Sequence, residues 1–374
     1  MNILFVLEYF PPHIGGVEKF FDNLSKELAK RGHSVSIYTT LVPNSERYEE
    51  SEGRKIYRQP TLSRHTFPLR GFVPIAKLAK HADIIHTTTY SAAGSTALSR
   101  IFTSKPTVIT VHEIWDRLWF EFENPISAAV NWFLETMICM VFKKSFITCP
   151  SEYTKIALIK KNVPEKNITV IPHGVEHQFY HSGVKPSYNW GFPTYFYMGR
   201  PGISKGIEYL LKAVPLITKE IPEAKLVMRM GKSPKSMYTK YIQMIKDLGI
   251  EKNVVLLEPI YDQKTNAETF RSVDCVCVPS LSEGFCFSAV EAQACGIPVI
   301  ASLAGSLPEV VGGGRFVPPR SSEAIAKEVV SLLKDDPERK VLGKAGADFV
   351  KRFTWEYSIK QYITLYEKMM GEKI

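Results

Sequence analysis

The chain lacks any apolar run long enough to read as a membrane span. Over its 374 residues the best candidate is AAVNWFLETMICMVF, Ala128 to Phe142, and Asn131, Glu135 and Thr136 interrupt it. Only ILFVL precedes Glu8, too short for the apolar core of a signal peptide and with no charged region ahead of it. There is no C-x-x-C pair. The six cysteines (Cys139, Cys149, Cys275, Cys277, Cys286 and Cys295) lie mostly in apolar runs and are expected as buried, reduced thiols rather than disulfides or zinc ligands. These shortages predict a globular, cytoplasmic chain. No G-x-G-x-x-G loop is present, and the stretch SVSIYTT ends in Thr39-Thr40 where a dinucleotide site needs an acid, which argues against a dehydrogenase. Short-period repeats and low-complexity segments are missing as well. Acid is missing locally: from Arg54 to Lys80 there are seven Lys or Arg and no Asp or Glu, the mark of an anionic partner or of a solvated surface.

What is present is a chain 45% hydrophobic and 23% charged with a net charge of +9, large enough for two cores. Short β-rich runs alternate with helical patterns. NILFVL is followed by VEKFFDNLSKELAKRG, where Phe20, Phe21, Leu24 and Leu28 share a helical face. SVSIYTT, DIIHT, TVITV, SFITC and ITVIP read as further buried strands, and strands this uniformly apolar predict a parallel sheet covered on both faces. Residues 181–193 collect Gly, Pro, Ser and Asn and read as a linker. The rhythm then restarts with TYFYMG, KLVMRM, NVVLL, DCVCVP and PVIAS. The expected organisation is an α/β domain over 1–180, the linker, a second α/β domain over 194–352 and a terminal helix over 353–374. Two facing parallel sheets enclose a cleft beyond the carboxyl ends of their strands, so functional residues belong on strand-to-helix loops.

Those loops carry the chemistry. Gly15-Gly16 before the first helix let the backbone approach a ligand and aim amides at an anion, or make a simple turn. Arg200 and Lys205 leave the strand ending at Gly199 together, a fork and a point charge suited to a diphosphate, or two surface charges. His112 follows a strand, where it could meet a hydroxyl or serve as a satisfied structural histidine. In EGFCFSAVEAQACG the two acids stand eight positions apart. Ser288 and Glu291 have capping-box spacing, which gives Glu291 a structural role, whereas Glu283 sits in the loop ahead of the helix and is free to accept bonds from sugar hydroxyls.

The Gly-Gly loop, TVH at Thr110 to His112, VIPHGV at Val170 to Val175, GR with SKG at Ser204 to Gly206, and the E-x7-E signature from Glu283 to Glu291 together resemble the family 4 retaining glycosyltransferases of the GT-B fold. FTWEYSIKQYITLYEKM, Phe353 to Met369, looks like that family's last helix, which crosses back onto the first domain. The resemblance implies two Rossmann-like domains, a UDP- or GDP-sugar held mainly by the second, and no cofactor. Carried over by position, Arg200 and Lys205 neutralise the diphosphate with Gly15 and Gly16 beside it. Glu283 holds sugar hydroxyls, Glu291 binds the ribose and His112 contacts the transferred sugar. Gly284 and the amides of Phe285, Cys286 and Phe287 touch sugar and phosphate. Three positions depart from the family pattern: Cys286 for a usual Gly, His173 for Asn, and Ala304-Gly305 for a Gly pair.

With no D-x-D metal motif in the chain, side chains and amides are expected to stabilise the departing diphosphate. The acceptor is expected to be a hydroxyl over the first domain, lipid-linked or on a glycan. Membrane contact is expected through the basic run 54–80 and the aromatics of 114–122. Nothing calls for a nucleic acid partner. A catalytically silent nucleotide-sugar binder would keep Arg200, Lys205 and Glu291 without needing His112 or Glu283, and a glycan phosphorylase would need a pyridoxal-bearing lysine that nothing marks.

Overall fold

A computed structural model describes the chain except for Ile14, residues 62–65, Tyr261 and residues 372–374. Its contacts divide the chain into two units, Met1–Gly174 with Trp355–Ile374, and Val175–Thr354.

The first unit contains β1 (Asn2–Val6), α1 (Gly16–Lys30), β2 (Ser34–Thr40), β3 (Tyr48–Ser51), β4 (Arg54–Gln59), α2 (Phe67–Ala79), β5 (Ile84–Thr88), α3 (Ser91–Ser99), β6 (Thr107–Thr110), α4 (Trp119–Phe122), α5 (Pro125–Phe142), β7 (Phe146–Cys149), α6 (Glu152–Lys160) and β8 (Ile168–Val170). The second contains β9 (Thr194–Gly199), α7 (Ile207–Glu220), β10 (Lys225–Met230), α8 (Lys235–Asp247), β11 (Val254–Leu257), α9 (Gln263–Phe270), β12 (Cys275–Val278), α10 (Phe287–Ala294), β13 (Val299–Ser302), α11 (Leu307–Val310), β14 (Gly314–Val317), α12 (Ser322–Lys334) and α13 (Asp336–Val350). The terminal helix α14 (Trp355–Gly371) returns to the first unit.

In the first unit the strand order is β3-β4-β2-β1-β5-β6-β7-β8, parallel except for the β3–β4 pair. In the second it is β11-β10-β9-β12-β13-β14, parallel throughout. Parallel strands covered on both faces must be apolar on both faces, and β5, β6, β12 and β13 are buried at every position. The strand order reverses at β1/β5 in one sheet and at β9/β12 in the other. An open parallel sheet exposes a crevice at such a reversal, so the loops after β1, β9 and β12 are placed to hold ligands.

Helix α1 buries Phe20, Phe21, Leu24 and Leu28 along one stripe and ends at Gly32, whose φ of +83° closes it. Against it lies α14, with the Phe20 and Trp355 rings stacked at 5.9 Å and Arg31 paired with Glu356 at 2.7 Å. Tyr366 of α14 reaches the fully buried His86 of β5 at 2.6 Å, and the other nitrogen of His86 meets Thr110 at 2.7 Å. This polar chain fastens the terminal helix to the sheet.

Four expectations from sequence are revised. Residues 181–193 are not a linker: the units exchange at 174/175 and 354/355, and Ser272 Oγ of the second unit accepts from the amides of Ser187 and Tyr188. The run at 128–142, read as too interrupted to span a membrane, lies in a helix, α5, that is long and apolar enough to cross one, and its Glu135 turns inward and accepts from the amides of Trp115 and Asp116 and from the Trp119 indole. The aromatics of 114–122 are largely interior: Trp119 and Phe122 are buried and packed with Trp115, so Phe120 alone of the four stands well exposed. Within the basic run, Arg54 is buried against Asp22 and Arg58 against Glu49, at 2.8 and 2.7 Å. Arg64 lies outside the described residues. Lys55, Arg70, Lys77 and Lys80 are exposed.

Candidate functional site

The second unit gathers charge at its switch point. Arg200 is exposed directly after β9, and Lys205 ends a single 3-10 turn, Ile203–Lys205. Gly206 follows with φ +62°, and a Cβ there would stand 2.0 Å from the Pro279 carbonyl oxygen. Only glycine fits, so the loops after β9 and β12 touch backbone to backbone. The Leu281 amide donates to the Ser204 carbonyl at 2.7 Å and secures the same contact. Pressed together in this way, the loops bring Lys205 Nζ to 2.8 Å from Glu283 Oε1, where Ser280 Oγ also donates at 2.7 Å. Lys205 keeps a third of its side chain in solvent while Glu283 is nearly buried, so the pair presents an ammonium outward and a carboxylate braced from behind. Gly305 holds the far side: its φ is +58°, a Cβ would lie 2.5 Å from Glu283 backbone atoms, and the Ser306 amide donates to the Glu283 carbonyl at 2.9 Å.

The capping box is not formed. Helix α10 starts at Phe287, one residue before Ser288, with Cys286 as its N-cap at φ +71° and no side-chain cap. Ser288 is inside the helix, so it is not the N-cap that the box needs. Glu291 is buried at 2% exposure, and its charge raises the pKa of Tyr180 and of Cys295 beyond what burial does. Cys286 sits where glycine is usual and adopts a glycine's left-handed backbone. Burial first, then the Glu283 charge, pushes its thiol up to about 12, so it stays protonated. Gly284 and Phe285 are buried, and Phe287 is half-buried. The structure thus joins Lys205 and Glu283 directly, with Cys286 within reach of their charges, Arg200 on the adjoining loop and Glu291 one helical turn further along.

The first unit gathers neutral groups. Gly15, extended at φ −174°, precedes Gly16 as the N-cap of α1 and offers no side-chain cap. His112, just past β6, lies with Nδ1 3.3 Å from His173 Nε2, and Phe20 and Phe21 present ring edges to it. Burial pushes His112 down to about 4, with the Glu18 charge pulling the other way, and burial also holds His173 well below its ordinary value. Both imidazoles are neutral at pH 7. Among the described residues the buried Nε2 of His112 has no hydrogen-bond partner, so it can take up a ligand group. Glu18, in the first turn of α1, pairs with His13 at 2.9 Å, and Tyr9 stacks on His13 at 4.4 Å.

Glu18, His13 and the bonding of His173 to His112 were not singled out from the sequence. The available signals were an acid three residues after Gly15, in the helix's first turn, and a histidine closing the VIPHG strand end. Among the described residues no three of His, Cys, Asp and Glu converge as a metal site.

Comparison with known proteins covers both units. The model described as Glycosyltransferase Family 4 matches residues 14–179, and the one described as Glycosyl transferases group 1 matches residues 185–349. The chain is 26% identical over 409 aligned residues to the MMP alpha-(1->4)-mannosyltransferase of Mycolicibacterium hassiacum, covering 96% of each chain. Among solved structures it superposes on the sucrose-phosphate synthase of Thermosynechococcus elongatus with a TM-score of 0.85 at 21% identity, over 99% of both chains. It also superposes on Anabaena HepE in complex with UDP-glucose, with a TM-score of 0.79 at 17% identity over 98% of this chain and 100% of that one.

Proposed function

The chain belongs to the family 4 glycosyltransferases of the GT-B fold, and from that premise we propose that it transfers a hexose, with retention at the anomeric carbon, from a UDP- or GDP-sugar to a hydroxyl acceptor. The observation that carries this reading is the clamped pair Lys205–Glu283 with Arg200 beside it, at the carboxyl end of the second sheet. As the bond from C1 to the phosphate oxygen breaks, negative charge grows on the diphosphate and positive charge on C1. Arg200 and Lys205 supply the fixed positive charge that the leaving group needs, and amides at the start of α10 add donors. Glu283 accepts from hydroxyls of the sugar, held in place by Ser280 and the Gly305 contact. Glu291 binds the ribose. His112, neutral, hydrogen-bonds the transferred sugar.

The acceptor oxygen forms the new bond to C1 on the face the diphosphate leaves, and its proton passes to an oxygen of that diphosphate, which balances the step. The crystallised UDP-glucose complex of a structural neighbour favours a uridine donor. We place the reaction in the cytoplasm, since the cysteines form no disulfide and most are buried, and take the acceptor to be a hydroxyl on a lipid. The presence of both His112 and Glu283 favours an enzyme over a silent binder. The test is release of UDP or GDP from the sugar nucleotide with a lipid-linked hydroxyl present, followed by NMR of the product. An α-linked product from an α-linked donor agrees with the proposal. An inverted linkage, or no release from any UDP- or GDP-sugar, overturns it.

A further inference from the structure

Helix α5 is apolar on two opposite sides, and the fold explains only one of them. Ala128, Glu135, Cys139 and Phe142, spaced seven, four and three apart, form the buried stripe. Diametrically opposite, Ile126, Val130, Phe133, Leu134, Met140 and Val141 form a second stripe, between 43% (Val141) and 78% (Ile126) exposed. No charged residue interrupts it, because the helix's one acid, Glu135, faces inward. A helix lying on a parallel sheet ordinarily turns polar residues outward. At roughly 200 Å² per large side chain, these six leave on the order of 600 Å² of apolar surface bare, the top of the range a monomer tolerates.

This is the one helix among the described residues long and apolar enough to cross a membrane, yet it cannot do so. Its flanks are β6 and β7, which pair in parallel as neighbours at Val108–Phe146, so both ends are fixed to one sheet and the helix must lie along a surface. Its carboxyl end is basic. Lys143 and Lys144 follow it and are exposed, and the exposed Arg100 leans over the Phe142 ring at 5.7 Å and donates to Ser145 at 3.3 Å. At its amino end Phe120 adds exposed apolar surface, with Glu121 exposed beside it and Glu123 accepting from Asn131. Trp132 stands on the flank with its indole donating to Asp116, an amphipathic ring at the boundary of the stripe.

We propose that this outer face of α5 rests in the headgroup region of an anionic bilayer, with Arg100, Lys143 and Lys144 on acidic headgroups and the apolar stripe in the acyl boundary. A second copy of the chain fits less well. Two such faces would bury about 1,200 Å² in all, short of what permanent homodimers bury.

The inner side of the same helix reaches the candidate site. Ile138 and Cys139 line a small pocket, with room for about one water, together with Tyr90, Val111, Glu113 and Ile114 at the carboxyl ends of β5 and β6, where Val111 and Glu113 flank His112 in the chain. One helix therefore faces a bilayer outward and the His112 loop inward, an arrangement that suits a hydroxyl presented on a lipid headgroup. That last consequence, unlike the docking, rests on the transferase reading above.

Vesicle flotation of the full chain tests the docking. The wild type is expected to float with phosphatidylglycerol–phosphatidylcholine vesicles, at least fivefold less with pure phosphatidylcholine, and less as salt rises. V130Q/F133Q/M140Q, all exposed sites with a helix-favouring replacement, is expected to lose at least tenfold in bound fraction while its thermal stabilisation by UDP or GDP is unchanged. R100Q/K143Q/K144Q is expected to lose the preference for phosphatidylglycerol alone. Wild type that floats with neither vesicle, or a triple glutamine variant that floats like wild type, overturns the proposal. So does a wild-type dimer in solution that this variant dissociates, with no vesicle binding. Docking without any nucleotide stabilisation upholds the membrane face and sinks the transferase reading; nucleotide stabilisation without docking does the reverse.

Discussion

At the reversal of the second sheet stand an exposed guanidinium, an ammonium one third exposed and a nearly buried carboxylate, the last two 2.8 Å apart. At the carboxyl ends of the first sheet stand two neutral histidines 3.3 Å apart, ringed by Phe20 and Phe21, beneath a glycine-led helix start. The second unit's loops gather charged groups, whereas the first unit's histidine pair is neutral. Under the function proposed above, the contrast fits the charge that develops in breaking a glycosyl phosphate, most of which would sit on a diphosphate held by the second unit.

The comparison breaks most readily in the second unit. Arg200→Ala and Lys205→Ala are each expected to lower turnover by about 10²–10³, measured as nucleotide release, with the fold retained because neither side chain fills a core. Near-normal turnover in both would take the diphosphate away from this loop. Next in size, Glu283→Gln is expected to cost about 100-fold in turnover with little change in nucleotide affinity. Glu291→Gln, by contrast, should weaken nucleotide binding about tenfold, the value of one charged hydrogen bond, as titration calorimetry would show. Equal effects of the two substitutions would merge the roles that the structure separates.

The first unit is sharpened by acid. His112 is held near 4, and His86 and His173 well below the ordinary value of 6.5, all chiefly by burial. The unfolded chain then binds more protons than the folded one between pH 6.5 and 4. Stability is complete above 6.5 and falls as pH drops through that window. His112 alone accounts for about 2 kcal/mol by pH 4, after allowing for its partial exposure. Thermal unfolding across this range is expected to show the loss, and His173→Asn, the residue usual at that position, should shrink it. A flat profile would mean that the imidazoles are not buried as neutral groups.

The smallest expected effect returns to the second unit. Cys286 holds a left-handed backbone at a cost of about 1–2 kcal/mol, and Cys286→Gly removes this while adding unfolded-state entropy. A net gain of about 0.5–1 kcal/mol should appear in thermal unfolding. Destabilisation would mean that thiol packing outweighs the strained turn.

The charged half of the site was legible in the sequence because its residues sit on loops directly after strands, where only neighbours in sequence are needed to place them. Arg200, Lys205 and Glu283 were named on that ground, and their loops do leave the reversal. What was not legible depended on contacts across the chain. The pairing of Lys205 with Glu283 needs Gly206 pressed on Pro279, and the pairing of His112 with His173 joins ends of two strands sixty residues apart. The capping box failed because a left-handed Cys286 starts the helix one residue early. The interrupted apolar run, and the Arg54 and Arg58 ends of the basic run, were misplaced for one reason: a linear reading counts charges without showing which face they occupy. Arg54 and Arg58 turn inward to acids, Glu135 turns inward to amides, and the apolar face of α5 is left outside.

The claim that the second unit's loops form a nucleotide-diphosphate-sugar site is tested most directly by thermal unfolding of the wild type and of R200A/K205A with UDP, GDP, ADP and their sugars. At 100 times its dissociation constant, the correct uridine or guanosine nucleotide should stabilise the wild type by about 2.7 kcal/mol, and the double variant should lose most of that gain. No stabilisation of the wild type by any of these nucleotides, or an equal gain in the variant, would contradict the account.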